Sequence, residues 1–207
     1  MSYINKIAFH QGIRSEVPNQ ELAKELSDSE DRKGIKEIAS FLYDKNSSVA
    51  SDCIKVLYEI GYLKPKLIQD YYQNFIDLLS SKNNRMVWGG MIGLATVSEL
   101  KADEIMPKLD FIVDVTKKGT VITQVWGVYT LIGMAKSNAK NKTKLMPVIY
   151  DFLENSRPVD LGKRLESMLA LFVTKEEKEI AHNIVQMKMD QLSEAQSKKV
   201  QRISKKI

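Results

Sequence analysis

The sequence contains little cysteine, histidine, proline or glycine. Its 207 residues include one cysteine, two histidines, five prolines and ten glycines. The lone Cys53 cannot form an internal disulfide, and the N-terminus has no basic region followed by an apolar core, so a reducing cytoplasm is the expected location. His10 and His182 lie far apart without Cys or His partners at ligand spacing, so we expect neither a metal site nor a cofactor.

The scarcity of glycine and proline, with only short β-branched runs, favours helices throughout. Two segments with helical patterns, 86–98 and 120–135, contain no charged residue. Both are shorter than the ~20 apolar residues that a membrane-spanning helix needs. We therefore expect no membrane span. Because the segment 120–135 is apolar nearly all the way round, we expect protein to enclose that helix on most sides.

The formal net charge of +5 comes from one end of the chain. Residues 198–207 contain five basic residues and no acid, which leaves 31 − 5 = 26 basic against 26 acidic groups in residues 1–197. A formally neutral body is poor evidence for a basic nucleic-acid groove. The tail, with Val200, Ile203 and Ile207 among its cations, is either a solvated terminus, which we favour, or a site for acidic lipid, RNA or an acidic partner.

From residue 46 onward the chain repeats itself. Pairs of helical patterns recur, and aligning the second helix of each pair places Leu57, Leu94, Ile132 and Leu169 at one position. The tripeptide Val-Trp-Gly occurs at 87–89 and again at 125–127, in the same register. A two-helix unit with a period of about 37–38 residues is typical of an α-solenoid, in which each pair buries its apolar face by stacking on its neighbours.

The repeated segments resemble HEAT repeats of the armadillo-type α-solenoid family. IMPKLDFIVDV (105–115) and LMPVIYDFLEN (145–155) are similar to the proline-bearing first helix of that repeat, and RMVWGGMIGLATVS and QVWGVYTLIGMA are similar to its second helix. The resemblance covers roughly residues 46–173. HEAT repeats commonly have an arginine at the start of the second helix, and in this sequence only Arg85 lies near that position. As a whole, the chain also resembles small bacterial HEAT-like proteins.

The resemblance implies an all-α fold, a right-handed α-α superhelix of about four to five HEAT-like helix pairs. We expect residues 1–207 to form a single α-solenoid domain, with degenerate N-terminal helices over 1–45 and HEAT-like repeats over 46–173. Residues 174–197, which open with the capping box Thr174-x-x-Glu177, are expected to form a C-terminal capping helix before the basic tail at 198–207.

The most distinctive candidates for a functional site are Trp88 and Trp126. In a HEAT-like stack the second helices line the concave surface, so the two indoles either form a ladder facing a groove or fill gaps between helix pairs, with packing favoured. Polar residues near the same register complete the candidate partner-binding set: Asp52, Arg85, Lys163 and Arg164.

Tryptophans, an aspartate and basic residues on a HEAT-like groove also resemble the alkylpurine DNA glycosylases. Those enzymes need a carboxylate beside the damaged nucleotide and a basic wall for phosphates. No acid follows either tryptophan by one turn here, since Ile92 and Thr130 occupy those positions. Shared fold alone does not imply shared function, so nucleic-acid binding stays the alternative.

Catalysis has no visible support in the sequence. Cys53 falls on an apolar stripe and is interpreted as a buried hydrophobic residue, and the glycines near 89–93 lie inside helical patterns, not in a phosphate loop. The sequence thus predicts a non-catalytic protein–protein interaction scaffold without cofactors. Its concave surface would bind an extended or helical segment of a protein partner.

Overall fold

The computed structural model describes residues 2–207, and over that range the chain forms helices and turns without any strand. The α-helices, in chain order, are α1 Val17–Asp28, α2 Arg32–Ser40, α3 Ser47–Leu63, α4 Tyr72–Leu78, α5 Asn84–Val97, α6 Ala102–Ile105, α7 Leu109–Lys118, α8 Val121–Lys136, α9 Ala139–Glu154, α10 Pro158–Met168, α11 Lys175–Lys188 and α12 Glu194–Ser204. Short 3₁₀ turns join several of them. The all-α prediction is confirmed.

Several helices begin where polar side chains satisfy the first backbone N–H groups. Asn46 accepts a hydrogen bond from the N–H of Ser48 at the start of α3, and Asn83 accepts one from Arg85 at the start of α5. Thr174 and Glu177 form the expected capping box of α11. The predicted capping box is confirmed.

The chain divides into two compact units, one ending at Met134 and the other running from Ala135 to Ile207. In the first unit, α3, α5 and α8 are the successive second helices of the repeat. Leu57, Leu94 and Ile132 are all buried, as their equivalence in the repeat predicts, whereas the fourth equivalent residue, Leu169, is half-buried in a 3₁₀ turn. Thr130 of α8 contacts the sulfur of Met91 in α5. The expected single domain over 1–207 stays a prediction.

The first helices of the pairs are less regular, and proline accounts for part of this. The segment after Pro65 forms two 3₁₀ turns before α4, although its pattern predicts one continuous helix. Pro107 lies in a 3₁₀ turn that separates α6 from α7, whereas Pro147 is accommodated inside α9. A proline in a helix removes one backbone donor, and the resulting disturbance differs between these two sites.

Helix α8 is only partly enclosed, so the expectation that protein covers it on most sides is wrong. Val128, Leu131 and Ile132 are buried on one side. On the other side, apolar and aromatic side chains are exposed: Val121, Ile122, Val125 and Tyr129. The apolar residues of α8 therefore belong to two faces, one that packs in the core and one that is exposed to solvent.

The second unit contains α9 to α12. The rings of Tyr150 and Phe172 stack with centroids 6.2 Å apart, and Lys142 of α9 pairs with Glu177 of α11 at 2.7 Å. Burial raises the pKa of the Tyr150 hydroxyl to about 12, with the charge of Glu177 adding to the effect. These contacts attach α11 to α9.

Most of the basic tail is helical. A second capping box, formed by Ser193 and Gln196, starts α12, and Val200 and Ile203 are buried in the second unit. The favoured interpretation of residues 198–207 as a solvated terminus is therefore wrong for residues 198–204. Their apolar side chains pack inward because the helix places them on one face.

The single cysteine is part of the core. Cys53 is fully buried in α3, as its place on the apolar stripe predicts. Burial, together with the nearby charges of Asp52 and Asp44, raises the pKa of the Cys53 thiol to about 12. The thiol therefore remains protonated at neutral pH.

We predict that Gly90→Ala destabilises the protein. A Cβ atom at Gly90 would lie 2.8 Å from the carbonyl oxygen of Phe75 and 2.9 Å from Cβ of Leu78, so α4 and α5 would have to move apart. Such overpacking costs about 1–3 kcal/mol, which offsets the ~1 kcal/mol that alanine gains in helix propensity. The melting temperature, followed by circular dichroism, should fall.

Gly162→Ala is the matched control, because a Cβ there meets only the flexible Lys199 side chain, at 3.4 Å. This variant should melt at or above the wild-type temperature. Equal melting of both variants would contradict the close approach of α4 and α5.

We also predict that the contribution of Glu177 to stability depends on pH. Burial acts to raise the pKa of Glu177, but the Lys142 ammonium and the N–H groups of Thr174 and Val173 outweigh it, so the pKa lies below its usual value of 4.5. A lowered pKa in the folded state stabilises the fold above that usual value, and the contribution is lost as the pH falls through the folded-state pKa.

Glu177→Gln keeps an acceptor and removes the charge. It should lower the melting temperature at pH 7, and the difference from wild type should shrink as the solution is acidified. A difference that is the same at neutral and acidic pH would contradict the role of the charge.

Candidate functional site

A groove of about 670 Å³ lies in the first unit. It is bounded by α3, by α5 and by residues 9–16, which we call the N-terminal segment. Its walls combine apolar and charged side chains. The lining residues are Ala8, Phe9, Ile13, Arg14, Ser15, Glu16, Asn19, Ser48, Ser51, Asp52, Ile54, Lys55, Tyr58, Arg85, Trp88, Gly89, Ile92 and Ile122. Three of the predicted site residues, Asp52, Arg85 and Trp88, are thus brought together.

Asp52 fixes the N-terminal segment. Its Oδ2 atom accepts a hydrogen bond of 2.7 Å from the backbone N–H of Phe9. Residues 9–16 contain no α-helix and form local turns, in which Gly12 N–H bonds to the carbonyl of Phe9 and Ile13 N–H to that of Ala8. The bond to Asp52 is the contact that joins these turns to α3. The carboxylate of Asp52 therefore holds one wall of the groove in place.

Lys55, one turn further along α3, lies between two carboxylates. Its Nζ atom is 2.8 Å from Glu16 and 2.6 Å from Glu59, and it lies 4.9 Å from the ring centre of Tyr58. Only 12% of the lysine side chain is exposed. Burial acts to lower the pKa of Lys55, but the two carboxylates outweigh it and hold that pKa above its usual value. Lys55 is a permanent cation that joins α3 to the N-terminal segment.

Trp88 and Arg85 extend from α5. The indole of Trp88 is half-buried, and its Nε1–H donates a 2.8 Å hydrogen bond to the hydroxyl of Thr120. The packing interpretation and the groove interpretation of Trp88 therefore each describe part of its environment. Its N–H is hydrogen-bonded within the protein, while its ring lines the groove. Gly89 follows it in the chain, and a Cβ at Gly89 would lie 2.5 Å from Ile54, so this glycine lets α5 approach α3.

Next to the groove is an aromatic row, formed by Tyr58, Tyr62, Trp126 and Tyr129. The ring centres are 5.8 Å apart between Tyr58 and Tyr62, 5.7 Å between Tyr62 and Trp126, and 5.3 Å between Trp126 and Tyr129. Tyr62 is 46% exposed and Tyr129 is 42% exposed. Since Tyr58 also lines the groove, the row and the groove form one continuous surface.

Two residues of the predicted set lie in the second unit. Lys163 is exposed on α10. Arg164 is half-buried, donates a 2.8 Å hydrogen bond to the carbonyl oxygen of Phe152, and lies 5.8 Å from the centre of that ring. Burial lowers the pKa of Arg164 below its usual value. These contacts give Arg164 a packing role between α9 and α10.

Sequence reasoning missed the tyrosines and Lys55. Tyr58 and Tyr62 are spaced by four residues on α3, a signal that they share one face of a helix. Tyr129 lies in the segment 120–135, which is expected to be enclosed, yet it is exposed. The Lys55–Glu16 ion pair joins segments far apart in the chain, so no local pattern reveals it.

No helix among residues 2–207 combines the length and apolarity required to cross a membrane. Within the same residues, no group of three or more His, Cys, Asp and Glu side chains is arranged to hold a metal ion.

The fold is an armadillo- or HEAT-like helical repeat fold, which comparison with solved structures shows. An engineered protein with a crystal structure is similar over 100% of this chain and 96% of its own, with a TM-score of 0.64 and 13% identity. A designed armadillo repeat protein in complex with the peptide (KR)4 matches 90% of this chain and 86% of its own, with a TM-score of 0.68 and 12% identity.

Computationally designed armadillo repeat proteins for modular peptide recognition give a TM-score of 0.66 at 11% identity, over 90% of this chain and 86% of theirs. No protein-family model matches the chain, and no curated protein matches it in sequence. At these identities the likeness establishes the fold, and it confirms the expected armadillo-type architecture.

We predict that Asp52→Ala releases the N-terminal segment. A hydrogen bond to a charged acceptor contributes about 1.5–3 kcal/mol, so its loss should raise the rate at which trypsin cleaves after Arg14 by about tenfold or more. Mass spectrometry of brief digests would measure this rate.

Asp52→Asn is the control, because its amide oxygen still accepts from Phe9. A bond to a neutral acceptor contributes less than one to a carboxylate, so this variant should be cleaved at a rate between those of wild type and Asp52→Ala. Equal cleavage of wild type and Asp52→Ala would show that the hydrogen bond does not hold the segment.

Proposed function

We propose that this protein is a non-catalytic scaffold that binds a segment of a protein partner along the groove and the aromatic row. The observation that carries the proposal is the continuity of these two surfaces across α3, α5 and α8, with Tyr62 and Tyr129 both exposed. Contiguous exposed apolar surface of this kind marks interaction sites in folded proteins.

The residue types on this surface suit binding energetics. Tyrosine, tryptophan and arginine are enriched among the side chains that dominate protein–protein affinity, because they bury a large area and keep a polar group for orientation. Here Trp88 and Trp126 supply rings, and Arg85 supplies an exposed charge. Asp52 acts by holding the groove wall in place.

The arrangement of the helices favours an elongated ligand. Neighbouring second helices of a repeat each present side chains at spacings of three and four residues, so the surface offers a series of contacts along one direction. An extended or helical peptide segment can follow such a series. Two of the similar solved structures are described by peptide recognition, one of them holding (KR)4, which supports this mode by analogy of fold.

The groove offers little to a catalyst. Its lining residues, as the structure describes them, include neither histidine nor cysteine, and its carboxylates serve internal contacts, Asp52 with the N–H of Phe9 and Glu16 with Lys55. A partner-binding role for Lys163 and Arg164 stays a prediction from the sequence, and so does the cytoplasmic location. If the groove binds nucleic acid, nucleic acid takes the place of a protein as its ligand.

The test is selection of peptides from a random displayed library, followed by fluorescence anisotropy with the selected sequences. We expect binding to weaken by about tenfold or more in Trp88→Ala and in Tyr129→Ala, the loss typical of a central interface residue. Tyr43→Ala is the matched control, because Tyr43 is an exposed tyrosine outside the groove and the aromatic row. Thermal melts would verify that each variant is folded.

Failure to select any peptide whose binding depends on Trp88 or Tyr129 would overturn the proposal. Labelled DNA and RNA form a second arm of the experiment. Binding of either that Trp88→Ala abolishes would favour the nucleic-acid alternative.

A further inference from the structure

The carboxylates of the groove are already engaged by the protein itself. Asp52 accepts the N–H of Phe9 at 2.7 Å, and Glu16 pairs with Lys55 at 2.8 Å. Lys55 in turn is shared with Glu59, which lies 2.6 Å away. Each of these acids, and the lysine, therefore has at least one internal partner.

The two arginines of the groove are different. Arg14, on the N-terminal segment, and Arg85, on α5, both line it and are both exposed. Neither side chain has an ion-pair or hydrogen-bond partner among the described residues. The uncommitted charges of the groove are therefore both positive.

We propose that the segment bound here is acidic, with carboxylate side chains that pair with Arg14 and Arg85; this rests on the proposed peptide-binding function. A guanidinium presents parallel N–H donors that match a carboxylate, so an exposed arginine in a groove favours this partner. Charge complementarity at an interface sets specificity and the rate of association. The (KR)4 peptide of the designed armadillo protein is of the opposite charge.

The surroundings of the arginines indicate what the neighbouring ligand residues are. Trp88, Ile92 and Ile122 line the same groove and offer apolar surface beside Arg85. A peptide in which acidic and apolar residues alternate would place carboxylates on the arginines and apolar side chains on this surface.

A nucleic-acid strand fits the same groove less well. Its phosphates carry closely spaced negative charges, which call for several cations along the path. Only two arginines in the described part of the groove are without an internal partner. A peptide can match two cations and leave the rest of the groove to apolar contacts.

The experiment compares three fluorescein-labelled peptides with the length of (KR)4, in which leucine alternates with glutamate, glutamine or lysine. Anisotropy titrations with the full chain should show the glutamate peptide binding at least about fivefold tighter than the glutamine peptide, and this preference should decrease as salt rises. Binding of the lysine peptide should be the weakest.

Charge reversal then locates the interaction. Arg85→Glu and Arg14→Glu should each weaken binding of the glutamate peptide by about fivefold to tenfold more than they weaken binding of the glutamine peptide. Lys36→Glu is the matched control, because it makes the same change in net charge at an exposed position on α2, outside the groove. Its affinity for the glutamate peptide should equal that of wild type.

Equal effects of Arg85→Glu and Lys36→Glu, or a glutamine or lysine peptide that binds as tightly as the glutamate peptide, would overturn the acidic preference. The proposed function would survive that result if the random library still yields peptides whose binding depends on Trp88. If the library yields none, the scaffold function itself fails. If the groove prefers an oligonucleotide to every peptide, both the acidic preference and the protein-binding function are overturned.

Discussion

The close approach of helices in the first unit depends on positions that have no side chain. A Cβ at Gly61 would lie 2.2 Å from the hydroxyl of Thr96, one at Gly89 would meet Ile54, and one at Gly90 would meet the backbone of α4. Glycine inside a helix lowers its stability by ~1 kcal/mol relative to alanine. That local loss is offset by the packing that becomes possible when helices come into direct contact. The groove exists because α3 and α5 are held at this short distance, with Trp88 beside the contact.

The regular part of the fold could be predicted from the sequence because it is governed by short-range rules. The recurrence of Leu57, Leu94 and Ile132 predicted three core positions, and the capping box at Thr174 predicted the start of α11. The path of the first helices could not be predicted in the same way. Pro107 and Pro147 occupy similar sequence contexts, yet only the first is accompanied by a break into a 3₁₀ turn, since the outcome depends on how the flanking turns pack.

The candidate site was only partly predictable, for a different reason. Register within the repeat brought Asp52, Arg85 and Trp88 together, because equivalent positions on neighbouring helices face the same side. Hydrophobic periodicity, however, does not distinguish a tyrosine in the core from one at the surface, so it does not reveal that Tyr129 is exposed within a segment expected to be enclosed. The engagement of Asp52 and Lys55 by the N-terminal segment depends on contacts between distant parts of the chain, which no local pattern contains.

The burial of Cys53 makes the protein well suited to spectroscopic labelling. It is the only cysteine in the chain, and its thiol is both inaccessible and protonated at neutral pH, whereas maleimides and similar reagents attack exposed thiolates. A cysteine introduced at any solvent-facing position would then react alone, without prior replacement of the natural one. Pairs of dyes or spin labels could be attached on either side of the groove, and distances across it could be followed in a molecule whose core is unaltered.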